Sequence, residues 1–137
     1  MAEALILEVI TPERWVIEVT TPWVTLPGVA GELGILPQHV PLVTIIESGV
    51  LRWSDAGREQ RAAVHHGYAQ VSNDRVTVLV DMAERREDIN RERAVEAGHR
   101  ARQMLRDLID DAEDAEPRAR QYGAELQRAV TRQAAGV

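Results

Sequence analysis

All sixteen basic residues of this chain are arginine; there is no lysine. A guanidinium fork grips phosphate through two parallel hydrogen bonds, so an arginine-only set raises phosphate binding as a candidate chemistry. The plainer source is arginine codon choice in a GC-rich genome. Other candidates are quickly narrowed. His65 and His66 are neighbours, and neighbouring residues of a strand point to opposite faces, so the two cannot easily share a metal. Zinc needs three or four ligands, and the chain has no cysteine to supply a thiolate. Gly28, Gly31 and Gly34 recur every third residue. They do not form the dinucleotide-binding or P-loop pattern, because no Gly-x-Gly-x-x-Gly occurs and no Gly-Lys-Ser/Thr follows.

The formal charge of −6 argues against a broad nucleic-acid interface, which needs a basic stripe. At 45% hydrophobic, 137 residues can bury the core of about one domain with an appendage. The absence of cysteine fits a reducing compartment. No run of about 18 apolar residues is present to span a membrane. Met1-Ala2-Glu3 lacks the basic flank of a signal peptide.

Two segments of different period must position these groups. Residues 1–84 alternate in short runs. Leu5, Leu7 and Val9 share one face, with Ile6 and Ile10 making the other partly apolar. Residues 14–20, 23–26, 50–53, 61–66, 68–71 and 75–80 are rich in strand formers. Turn signals at Asp55-Ala56-Gly57 and Ser72-Asn73-Asp74 separate them. The glycines and prolines of residues 26–51 cut short apolar runs in the same way, and no helix runs there. The pattern predicts an antiparallel β-sandwich or flattened barrel.

Residues 85–137 change to helical spacing. Ala94, Ala97, Ala101, Leu105 and Leu108 follow steps of three and four, as do Ala119, Tyr122, Leu126 and Ala129. Asn90 is a good N-cap, and Pro117 suits the first turn of a second helix behind the acidic run of residues 110–116. Two antiparallel helices of about 20 residues, each about 30 Å long, are expected. Their inner stripe is mostly alanine and buries little area, so the hairpin is weakly held and able to open and pack elsewhere. The fold class is therefore α+β, a sandwich followed by an αα-hairpin.

Residues 27–42 read Pro27-Gly28-x-x-Gly31-Glu32-Leu33-Gly34-Ile35-Leu36-Pro37-x-His39-x-Pro41-Leu42. With Gly67-Tyr68-Ala69-Gln70-Val71, Val76-Thr77-Val78-Leu79-Val80 and Ala83-Glu84 before the helices, the chain resembles the epsilon subunit family of the F-type ATP synthase over nearly its whole length. The resemblance implies a non-catalytic rotor component of the central stalk. Its sandwich would sit on the gamma subunit and the ring of c subunits and couple ion flow to ATP synthesis. Its hairpin would inhibit ATP hydrolysis when extended into the alpha/beta head. The implied location is peripheral, on the cytoplasmic face of a bacterial plasma membrane.

The resemblance also points to residues. Glu32 falls in the loop where the family contacts the c ring, and His39 is a further interface candidate. The plain readings are a solvated turn carboxylate and a loop histidine bonded to backbone. No cofactor is required, but ATP without magnesium is a regulatory ligand in some members. Their motif, Ile/Leu-Asp-x-x-Arg-Ala, becomes Ile89-Asn90-Arg91-Glu92-Arg93-Ala94 here, with Asn90 in place of the acid. Glu84, Arg100, Arg128 and Arg132 complete the candidate nucleotide site. The alternative pairs these arginines with Glu92, Glu96, Asp107 and Glu125 on a solvated face, each pair contributing about 0–1 kcal/mol. Two other functions compete: an ATP sensor whose main task is nucleotide binding, and a stand-alone enzyme using a carboxylate and His39.

Overall fold

The computed structural model describes residues 4–109 and 115–136, with side chains described outside 108–120 and 122. Eight strands come first: β1 (Leu5–Ile10), β2 (Trp15–Thr21), β3 (Val24–Gly28), β4 (Gly31–Ile35), β5 (Leu42–Ile46), β6 (Gly49–Asp55), β7 (Arg58–Ser72) and β8 (Arg75–Arg85). A single 3-10 turn (Arg86–Asp88) leads to α1 (Arg91–Ile109) and α2 (Ala115–Gly136). The chain divides into two compact units, Met1–Asp88 and Ile89–Val137. The boundary thus follows β8 and its 3-10 turn, four residues past the 84/85 division expected from composition.

The first unit is one sheet folded over on itself, in the order β2-β1-β8-β7-β5-β3-β4, with β6 pairing both β3 and β7. The 15-residue β7 organises it. The segments on either side of Gly67 are one strand, because β8 pairs with it from Ser72 back to Ala62. Along its other edge β6 pairs with the first half and β5 with the second. Most ladders are antiparallel, as expected. The exception is β1, which runs parallel to β8 from Ile6↔Arg75 to Ile10↔Leu79.

Period-2 alternation sets the core. Leu5, Leu7 and Val9 are fully buried, and they meet Leu26, Ile46, Leu51, Val64, Val76 and Val78. Two-residue turns with positive φ close the hairpins. Ala56-Gly57 (φ 50° and 78°) joins β6 to β7, and Asn73-Asp74 (φ 51° and 58°) joins β7 to β8. Both have the backbone of a type I′ turn, whose twist matches the strands it joins.

The second unit is the expected pair of helices. Asn90 caps α1: its Oδ1 accepts from the Arg93 N–H at 3.0 Å, and its carbonyl accepts from the Ala94 N–H. Pro117 falls in the first turn of α2, where its missing N–H costs nothing. The acidic residues 110–114, and the side chains of Leu108, Arg118, Ala119, Arg120 and Tyr122, lie outside the described residues. Ala94, Ala101 and Ala129 are buried, whereas Leu105 and Leu126 are half-buried. Gly98 faces Ala129 across the pair: a Cβ built there would make ordinary contact, 3.7 Å from the Ala129 Cβ.

Candidate functional site

Glu32 lies on β4, paired with Pro27, one position from the Val29-Ala30 hairpin tip. It is exposed and its carboxylate accepts from Arg52 of β6. This is a paired surface acid, not an isolated charge. His39 sits beyond the other end of β4. Leu36-Pro37-Gln38-His39 forms a turn closed by the His39 N–H donating to the Leu36 carbonyl at 3.2 Å. Pro37 then Gln38 at φ 67° match the central positions of a type II turn. The Asp74 carboxylate accepts from the Gln38 N–H at 2.6 Å and so ties this turn to the β7–β8 hairpin. The His39 ring Nδ1 donates to the Val40 carbonyl at 2.7 Å, as the plain reading of a loop histidine expects. Three β4 positions beyond Glu32 and a turn separate the two residues. At about 3.4 Å per residue, Glu32 and His39 face different ends of the sandwich.

His65 is buried with its Nδ1 3.1 Å from Ser48 Oγ, and His66 is exposed with φ 42°. Among the described residues no group of three His, Cys, Asp or Glu is placed to hold a metal.

The candidate nucleotide residues divide between the units. Glu84 is in β8, paired with Ala63 of β7, and belongs to the sandwich. Ile89, Asn90, Arg93, Ala94, Arg100, Arg128 and Arg132 belong to the hairpin. Ala94 is buried there, so it serves packing. Gly98 lies beside Ala129, and Gly136 lies 3.5 Å (as a built Cβ) from Ile89. That antiparallel register sets Arg100 level with Arg128 and Arg93 level with Arg132. Arg93 and Arg100 are exposed, and Arg128 and Arg132 are half-buried. Asn90 commits its amide oxygen to the helix cap.

One surface was not singled out from the sequence. Ile45, Tyr68, Leu79, Ile10 and Trp15 face one another in register across β5, β7, β8, β1 and β2. The signal for it was the second apolar face of β1, formed by Ile6 and Ile10.

The fold defines a class of protein: a small β-sandwich module followed by a separate αα-hairpin. A family model described as the ATP synthase Delta/Epsilon chain beta-sandwich domain matches residues 4–86. The ATP synthase epsilon chain of Carboxydothermus hydrogenoformans is 45% identical over 105 residues, covering 77% of this chain and 78% of the relative. That of Nitratidesulfovibrio vulgaris strain DP4 is 37% identical over 132 residues, covering 96% and 95%. A chain in the Euglena gracilis mitochondrial ATP synthase (OSCP/F1/c-ring) shares the fold with a TM-score of 0.82 at 21% identity, over 98% of this chain and 82% of that one. The chain belongs to the delta/epsilon chain family of ATP synthase. It is a non-catalytic subunit of that membrane-associated rotary complex. Among the described residues no helix is long and apolar enough to cross a membrane.

Proposed function

We propose that this chain is the rotor subunit that couples the central stalk to the ion-driven ring and restrains ATP hydrolysis. The sandwich docks on the gamma subunit and the c ring, with Glu32 and His39 at separate contacts. The hairpin, when extended, reaches the alpha/beta head. The supporting observation is the pairing of a family-matched sandwich with a separate two-helix unit in one chain. The complex lies on the cytoplasmic face of a bacterial plasma membrane in this reading. Co-purification tests it: the chain, added to a gamma-containing subcomplex, is expected to elute with it at one copy. Elution as free chain at micromolar concentrations would reject the reading.

ATP as a regulatory ligand is a second reading. The two level pairs, Arg93 with Arg132 and Arg100 with Arg128, favour it, since guanidinium groups brought to one level can grip a polyanion bidentately. Asn90 weakens it, because the amide lacks the carboxylate's charge and acceptor-only character. Isothermal titration with ATP decides: the absence of heat at millimolar ATP removes the sensor reading.

A further inference from the structure

The turn that carries His39 is held from outside itself. Six residues, 36–41, link β4 to β5 between the buried Ile35 and the partly buried Leu42. Pro37 and Pro41 have no N–H to donate. The link presents Leu36 and Val40 to solvent at 62% and 70% exposure. Its conformation needs support. A type II turn puts its third residue at positive φ and prefers glycine there, but this chain has Gln38, at φ 67°. A left-handed residue other than glycine persists where its surroundings over-determine it. Here the support is the Asp74 carboxylate, which accepts from the Gln38 N–H at 2.6 Å. A bond from a backbone N–H to an ionised carboxylate is among the stronger hydrogen bonds.

Asp74 is itself fixed by the sheet. With Asn73 it forms the β7–β8 turn, at φ 51° and 58°, and its carbonyl accepts from the Ile6 N–H at 2.9 Å. It is half-buried. For the hairpin alone, aspartate is not the best choice. A two-residue type I′ turn favours Asn-Gly, since both central residues are left-handed and glycine has no Cβ to strain. The chain places Asp74 where glycine would serve the turn better. What aspartate adds is the acceptor that Gln38 uses.

We propose that Asp74 is a positioning residue for rotor docking. Its carboxylate holds the 36–39 turn in the conformation that presents Leu36, His39 and Val40 together to the c ring. It acts through that turn and does not touch the partner. Without the bond the turn samples other backbone wells, and apparent affinity falls with the docking-competent fraction. The inference rests on the rotor-subunit reading for the partner, and it adds the residue that shapes the contact.

The test uses full-length chain and a subcomplex of gamma with the c ring. Asp74→Gly removes the acceptor but suits the hairpin turn, so its melt should lie at or above that of wild type. Its Gln38 amide should exchange with solvent faster, read by NMR, and its affinity for the subcomplex should fall about tenfold. Asp74→Asn keeps an oxygen acceptor and should lose less than about threefold. Adding Gln38→Gly to Asp74→Gly lets the turn form unaided and should restore most of the affinity. A purely structural role would make affinity follow the melt. Wild-type affinity in Asp74→Gly would overturn the positioning role while leaving the rotor reading intact. So would equal losses in Asp74→Asn and Asp74→Gly, which would put the carboxylate itself on the partner. A melt of Asp74→Gly far below wild type would overturn it too, by making Asp74 part of the hairpin's own stability. Failure of wild type to bind the subcomplex would overturn both readings.

Discussion

Replacing Gly67 by alanine should break the sandwich at its tightest point. The added Cβ would stand 1.9 Å from the Leu79 carbonyl oxygen and 2.8 Å from Val80 Cα. Both obstacles are backbone, so no side-chain rotation relieves them. Ordinary contact begins near 3.4 Å, so β7 and β8 must part by about 1.5 Å. The pairs His65↔Met82 and Tyr68↔Leu79 hold the strands together on both sides. Parting the strands by that much takes about two ladder hydrogen bonds beyond bonding range, at about 1 kcal/mol each. Overpacking adds about 1–3 kcal/mol, for a total of about 3–5 kcal/mol. A domain of this size loses about 4–8 °C of Tm per kcal/mol, so the melt should fall by at least about 12 °C. Circular dichroism at a β-sheet wavelength on residues 1–88 measures this without interference from the helices. A Tm within about 3 °C of wild type would refute the close-approach argument.

Four further outcomes are expected. Asn90→Ala removes the oxygen that accepts from the Arg93 N–H and should cost the hairpin about 1 kcal/mol, read by helical ellipticity. Asn90→Asp keeps the cap and should strengthen any ATP binding in titration. Glu32→Ala removes an exposed ion pair with Arg52 and should change stability by less than about 1 kcal/mol in urea, while lowering affinity for the c ring. Deletion of residues 89–137 follows the unit boundary and should leave the sandwich melting normally while relieving inhibition of hydrolysis. Unchanged hydrolysis would exclude an inhibitory role for the hairpin.

Much of the fold was legible because local signals agreed. The Leu5, Leu7 and Val9 alternation became a fully buried face. Asn90 capped α1, and both two-residue turns formed where Ala56-Gly57 and Asn73-Asp74 marked them. The parallel pairing of β1 with β8 was not legible, since strand direction depends on the path of the whole chain. Gly67 stands between the separate runs 61–66 and 68–71 but lies inside one strand, because what demands glycine there is a neighbouring strand's backbone rather than a turn. The site was less legible than the fold. Glu32 and His39 are seven apart in sequence, but β4 carries them towards different ends of the sandwich. The exposed row draws single residues from five strands, so no stretch of sequence displays it.

The rate of ATP hydrolysis by F1 depleted of its epsilon chain, measured before and after adding purified full-length chain, tests the rotor and regulatory role most directly. The account predicts saturable binding at one copy per complex and a fall in hydrolysis that the 89–137 deletion does not produce. Full-length chain that neither binds nor alters the rate would contradict it.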